Sequence, residues 1–130
     1  EKRRFATHIV SDLNFDAKTV AAWVGRLRRR GVVLPVILGV AGPVDRVKLL
    51  AVAAKIGVGD STRFLSKHKG TVMRLAAPGG YTGESFLERA APHLVDPESL
   101  VRGIHVYTFN QVAETEAWRS DFLGRLTARR

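Results

Sequence analysis

An almost wholly apolar stretch at residues 32–39, Val-Val-Leu-Pro-Val-Ile-Leu-Gly, constrains the fold more than any other feature of the chain. Such a strand is typical of a parallel sheet, in which helices cover both faces. Val20 and Val24 lie at helical spacing within an amphipathic pattern that precedes it. Two further strands are predicted at residues 6–11 and 104–109, where apolar, β-branched and aromatic residues cluster. Alternating strands and helices predict parallel strands joined by right-handed crossovers.

The composition limits the class of protein. The chain has 130 residues, enough for a domain with an apolar core, and no cysteine, which excludes disulfides, thiolate metal sites and a cysteine nucleophile within it. No apolar run approaches the roughly 18 residues of a membrane span, and no signal peptide is visible after Glu-Lys-Arg-Arg. We therefore expect a cytoplasmic protein without a membrane partner. The missing initiator Met suggests that the chain begins inside a longer one.

The net charge of +9 is the one unusual bulk property. A basic chain suits nucleic acid or an acidic partner, and a basic binding module is our second hypothesis. A structural explanation is favoured, because four arginines lie where a helix ends and interact with its negative end: Arg26, Arg28, Arg29 and Arg30. No aromatic ladder of the kind that single strands stack on is interleaved with them, so nucleic acid is not the expected partner.

Several common site chemistries lack their residue patterns. The four histidines, His8, His68, His93 and His105, are far apart and have no partner at metal-binding spacing, so no metal site is predicted. His8 and His105 lie mid-strand, where satisfied core histidines are expected. The segment at residues 57–61 lacks the dinucleotide-binding glycine spacing, and no Gly-x-Ser-x-Gly elbow occurs.

Polar or small residues follow each predicted strand. They are Asp12 and Asn14, then Gly39 and Gly42, then Asn110 and Gln111, with Asn110 predicted to cap the last helix. The carboxyl ends of parallel strands share one edge of a sheet, where α/β proteins bind ligands. The residues alone therefore predict a ligand-binding edge of a parallel α/β protein.

The stretch His105-Val106-Tyr107-Thr108-Phe109-Asn110 resembles the His-x-Tyr-Thr-x-Asn pattern on the last barrel strand of the methylenetetrahydrofolate reductase family. Residues 9–16 and 34–40 are similar to the sixth and seventh strand segments of that family, in the same order. Residues 42–46 and 57–61 suggest its short bacterial reductase-like branch. The resemblance implies a single partial domain over residues 1–130. Its fold would be the C-terminal portion, about three β/α units plus a helical insertion, of a TIM (β/α)8 barrel.

The resemblance further implies an NAD(P)H-dependent oxidoreductase of folate and methionine metabolism. Such an enzyme uses FAD to reduce methylenetetrahydrofolate to methyltetrahydrofolate. The catalytic acid of the family comes from its first strand, so no catalytic residue is assigned here, and this part alone is expected to be inactive. A barrel homologue that uses a different methyl or one-carbon donor is the remaining alternative.

Four residues correspond by position to the substrate site of that family. Tyr107 and Phe109 would line the folate pocket. Asp12 would take the place of a glutamine that contacts folate and nicotinamide, and Gln111 that of an arginine at the anionic end of folate. Ionised Asp12 only accepts hydrogen bonds, and Gln111 lacks the bidentate charged contact of arginine. The flavin-binding residues stay unassigned, although Lys2 lies near a family lysine.

Three strands cannot close a barrel, so the sheet is expected to have unpaired edges. Because such edges recruit further strands, we expect the chain to form a homo-oligomer by self-association or domain exchange.

Overall fold

The structure, a computed structural model, describes residues 4–45, 47–48, 51, 55 and 82–128. Along the chain these form strand β1 (Ile9–Leu13), helix α1 (Ala17–Arg29), strand β2 (Val36–Ala41), helix α2 (Gly83–Leu94), a 3-10 turn (Pro97–Ser99), strand β3 (Val101–Tyr107) and helix α3 (Val112–Ala128). The three predicted strands are all present with shifted boundaries. The predicted short helices at residues 62–67 and 71–75, and the glycine-rich segment at 57–61, lie outside the described residues.

The three strands form one parallel sheet in the order β1-β2-β3, as the alternation of strands and helices predicts. The predicted portion of a TIM barrel is wrong. The described residues form a small α/β fold in which β1 and β3 are open edges and three α-helices accompany the sheet. Alternation in sequence specifies parallel pairing, whereas closure requires a neighbour on both sides of every strand, and eight strands in all.

The chain divides into two compact units, which are described separately below. The first unit comprises Glu1–Ala41 and Gly83–Tyr107 and contains the sheet with α1 and α2. The second unit comprises Gly42–Thr82 and Thr108–Arg130 and contains α3.

The core of the first unit forms around β2, the central strand. Val36, Leu38 and Val40 alternate onto one face of the sheet and have no exposed surface. Helices α1 and α2 pack against each other and contribute further buried apolar residues: Ala17, Val20, Val24, Phe86, Ala90 and Leu94. Burying a side chain as large as Phe86 contributes about 1.5–3 kcal/mol. The enclosed part of the apolar stretch is therefore the part that forms β2, whereas Val33, which precedes the strand, is 62% exposed.

The opposite face of the sheet is less covered. Register and alternation place Val10, Ile37, Gly39, His105 and Tyr107 on this side, which we call the open face. Gly39 and Ala41 of the central strand are buried on this side, whereas Val10 is 45% exposed and the His105 side chain is exposed, so this face meets solvent at its two edge strands.

Arg28 ties α1 to the amino ends of the sheet. Its guanidinium donates hydrogen bonds to the carbonyl oxygens of Ser99 (2.9 Å), Leu34 (3.1 Å) and Val32. Burial lowers the pKa of Arg28 from its ordinary value. Hydrogen bonds from a charged group are stronger than those from a neutral one, so Arg28 holds the segments that lead into β2 and β3. The Arg28 guanidinium is therefore engaged in hydrogen bonds within the fold, whereas the side chains of Arg26, Arg29 and Arg30 are exposed to solvent.

Helix α3 of the second unit is supported by side-chain pairs along its own surface. Arg119 donates two hydrogen bonds to Glu116, at 2.6 and 2.7 Å, and Ser120 donates a third at 3.1 Å. The rings of Trp118 and Phe122 stack with centroids 5.8 Å apart. Such pairs three or four residues apart stabilise helices. The apolar side chains of this helix are only partly buried, and Leu126 near its end is 44% exposed.

None of the helices in the described ranges combines the length and the apolar character that a membrane crossing requires.

The ion pair on α3 predicts a specific pH dependence of stability. The hydrogen bonds from Arg119 and Ser120 lower the pKa of Glu116 to about 2, from an ordinary value of 4.5. Because the folded-state pKa is depressed, the stabilisation is present above pH 4.5 and is lost as the pH falls towards 2. We expect Glu116→Gln to lower the melting temperature slightly near pH 6 and not at about pH 2.

The control is the same substitution in an Arg119→Gln background, where most of this pH dependence should vanish. An equal effect of Glu116→Gln at both pH values would contradict the prediction.

Candidate functional site

A bulge at the carboxyl end of β1 shapes the candidate site in the first unit. Val10 pairs with Ile37, and Leu13 pairs with Gly39, so two residues of β1, Ser11 and Asp12, stand opposite one residue of β2. Bulges bend a strand and change the direction of its side chains, and they often lie beside binding sites. The polar residues predicted to follow β1 therefore lie in a locally distorted strand end.

Side chains within the first unit hydrogen-bond the backbone of this bulge. The Asn14 amide nitrogen lies 2.7 Å from Ser11 Oγ, 2.6 Å from the Asp12 carbonyl oxygen and 2.9 Å from the Gly39 carbonyl oxygen. Its two hydrogens are shared among these three acceptors. Ser11 Oγ also accepts the backbone N–H of Gly39 at 2.9 Å. Asn14 and Ser11 thereby connect β1 to the central strand where regular ladder hydrogen bonds are interrupted.

The missing side chain of Gly39 lets an aromatic ring reach across the sheet. A Cβ atom at Gly39 would lie 2.6 Å from the carbonyl oxygens of both Ser11 and Asp12, and 2.9 Å from the ring of Tyr107. The Tyr107 hydroxyl donates a hydrogen bond to the Ser11 carbonyl at 3.3 Å. Tyr107 therefore spans from β3, over the central strand, to β1.

Asp12 carries an exposed carboxylate at the same edge. Its Oδ1 accepts the backbone N–H of Leu13 at 2.8 Å, which orients the side chain. Within the described part of the chain, no ion pair involves this carboxylate. Its remaining oxygen is available as an acceptor for an N–H or O–H group of a ligand.

His105 adjoins Tyr107 on the open face. The two ring centroids are 4.6 Å apart at an interplanar angle of 74°, an edge-to-face contact. Neither His105 nor His8 is a core residue, because both side chains are exposed, and His8 is hydrogen-bonded to Thr7 Oγ1 at 2.8 Å. His8 precedes β1 and His105 lies in β3, both edge strands. Sequence reasoning did not assign His105 to the site, although alternation places it on the face of Tyr107.

The four predicted substrate residues fall into two groups. Asp12 and Tyr107 belong to the first unit and flank Gly39. Phe109 and Gln111 belong to the second unit, in the turn that precedes α3.

The turn before α3 differs from the predicted helix cap. Phe109 and Asn110 have left-handed backbone conformations, with φ of 52° and 65°. The first helical hydrogen bond runs from the N–H of Thr115 to the carbonyl of Gln111 at 3.0 Å. Gln111 is therefore the capping residue and the predicted cap at Asn110 is wrong, because a left-handed residue cannot begin the helix. Lys48 Nζ donates to the Phe109 carbonyl at 2.9 Å.

The implied flavin does not fit the described start of α1. The carboxylate of Asp16 accepts the N–H of Thr19 at 2.8 Å and so caps the helix. An acidic group already occupies the place where a diphosphate would use the helix N-terminus. Lys2 lies outside the described residues, and we assign no flavin contact to this chain. The described residues also contain no group of three or more side chains that suits a metal ion.

No protein-family model matches the chain, so the resemblance to methylenetetrahydrofolate reductases depends on the sequence blocks themselves.

Substitution of Gly39 tests the close approach at this edge. We expect Gly39→Ala to destabilise the protein by at least about 1–3 kcal/mol, because two backbone carbonyls and the Tyr107 ring occupy the space of the new methyl group. The measurement is the free energy of unfolding in denaturant. Gly124→Ala is the matched control. Gly124 lies in α3 with no atom within 4 Å of its Cβ position, so alanine should stabilise the helix by up to about 1 kcal/mol. Equal effects of the two substitutions would contradict the prediction.

Proposed function

We propose that the sheet edge around Gly39 binds the ring system of a folate-type one-carbon substrate. The protein would be a cytoplasmic oxidoreductase similar to methylenetetrahydrofolate reductase, supplied with hydride by NAD(P)H through FAD that is held by residues other than those described. The observation that carries the proposal is the position of Tyr107, whose ring lies over Gly39 with its hydroxyl bonded to the Ser11 carbonyl. The sequence blocks that resemble the family contain these residues.

The chemistry of the edge suits a planar ligand with hydrogen-bond donors. The rings of Tyr107 and His105 offer apolar surface on which a flat heterocycle can pack. The Asp12 carboxylate accepts N–H groups, which a pterin ring carries. Asp12 thus favours the donor side of the ring, whereas the glutamine found in the family both donates and accepts.

The residues of this chain are proposed to bind and orient the substrate. Flavin and nicotinamide would supply the hydride chemistry when bound. Tyr107 would limit the position of the ring, and Asp12 would hold its donor edge. We assign no proton transfer to the described residues.

Calorimetric titration of the full-length protein with 5-methyltetrahydrofolate tests this proposal. We expect Tyr107→Ala to weaken binding about tenfold or more, because the packing surface is lost. Tyr107→Phe keeps the ring and should cost less than about fivefold. Asp12→Asn replaces one acceptor oxygen with an N–H donor and should weaken binding about tenfold.

Asp121→Asn, which changes an exposed carboxylate paired with Arg125 on α3, is the control for loss of charge and should leave the affinity unchanged. Visible flavin absorption that bleaches on adding the folate would support the redox assignment. Undiminished binding by Tyr107→Ala, or no binding by the wild type, would refute the proposal.

The positive charge at the end of α1 supports a second candidate function, the binding of an acidic partner. The exposed residues Arg29 and Arg30 end α1 beside the inward-turned Arg28, and such residues suit an acidic partner. Heparin retention that persists at physiological ionic strength would favour a basic binding module over the folate-binding proposal.

We further propose that the protein self-associates through its open sheet edges. Val10 on β1 and Ile104 on β3 are 45% and 42% exposed, so each edge strand presents an apolar side chain beside unpaired backbone groups. Size-exclusion chromatography with light scattering should give a mass above that of a monomer. A stable monomer at micromolar concentration would be the contrary result.

A further inference from the structure

Two buried polar atoms at the start of α3 have no hydrogen-bond partner in the part of the chain that the structure describes. They are Gln111 Oε1 and Thr115 Oγ1, both within the second unit. Thr115 is 7% exposed and is the one residue of α3 that is buried among those described. Residues four apart lie on the same side of a helix, so the two side chains share the first turn of α3.

The free hydroxyl of Thr115 is unusual for its position. A threonine in a helix commonly donates to the carbonyl four residues earlier, as Thr127 does to Leu123 at 2.9 Å in this helix. The corresponding carbonyl for Thr115 is that of Gln111, which accepts the Thr115 backbone N–H at 3.0 Å but no hydrogen bond from the Thr115 hydroxyl. Buried polar atoms are nearly always paired, so two unpaired atoms in one turn indicate a missing partner.

The two atoms define the chemistry of that partner. An amide oxygen only accepts hydrogen bonds, and a hydroxyl can donate. The complementary group carries an N–H next to a carbonyl, as in an amide or lactam. Glu114 lies in the same first turn, and its carboxylate disfavours an anionic ligand there. The nearby Lys48 already donates to the Phe109 carbonyl. The expected group is therefore neutral.

We propose that Gln111 Oε1 and Thr115 Oγ1 bind the neutral N–H/C=O edge of a ligand of this protein. The inference deepens the proposed function and rests on it. One ligand of that function carries such an edge and is not assigned to the sheet edge of the first unit, namely the carboxamide of the nicotinamide. Gln111 would thus recognise an amide-like edge, and not the anionic end of folate that the resemblance implies for this position.

Titration of the full-length protein with 5-methyltetrahydrofolate and, separately, with NADH tests the inference. Thr115→Val has nearly the same shape and removes the hydroxyl, so we expect at least about tenfold weaker binding of NADH and unchanged binding of the folate. Thr115→Ser keeps the hydroxyl and should restore most of the affinity. Thr127→Val on the same helix is the matched control and should change neither affinity.

Thermal unfolding without ligand separates a binding role from a structural one. Removing an unpaired buried hydroxyl should leave the melting temperature of Thr115→Val unchanged or raised, so that weaker binding does not reflect unfolding. Unchanged affinity of Thr115→Val for NADH would overturn the inference, and the proposed function would stand if Tyr107→Ala still lost folate binding. Thr115-dependent binding of NADH without folate binding would support the inference and refute the folate proposal. A wild type that binds neither ligand would overturn both.

Discussion

The absence of a side chain at Gly39 is the constraint on which the carboxyl edge of the sheet depends. Two carbonyl oxygens from the bulge in β1 and a ring from β3 converge on the space that a Cβ atom would fill. Only a glycine on the central strand allows both neighbours to approach so closely. The bulge, the position of Tyr107 and the orientation of Asp12 all follow from that approach.

Both ends of the sheet use polar side chains to satisfy backbone carbonyls that no strand pairs with. At the carboxyl end, Asn14 and Tyr107 donate to carbonyls of the bulge and of β2. At the amino end, Arg28 donates to the segments that lead into β2 and β3. A buried carbonyl without a donor is costly, so these three side chains stabilise a small sheet that has two open edges.

The division into two units separates two kinds of polar surface. In the first unit, the backbone groups around Gly39 are satisfied by internal hydrogen bonds, and the Asp12 carboxylate is exposed and accepts one backbone N–H. In the second unit, a buried amide oxygen and a buried hydroxyl at the start of α3 have no hydrogen-bond partner among the described residues.

The sequence by itself determined the parallel α/β architecture and the central position of the apolar strand, because such a strand must be covered on both faces. It also placed Asp12 and Gly39 near one edge, since the carboxyl ends of parallel strands lie together. Tertiary structure alone decided that the sheet stays open among the described residues, and that Gln111 rather than Asn110 caps α3. Whether a sheet closes depends on contacts between segments that are distant in the chain. A bulge and an unpaired hydroxyl depend on local backbone geometry as well. Residue type and periodicity encode neither of these.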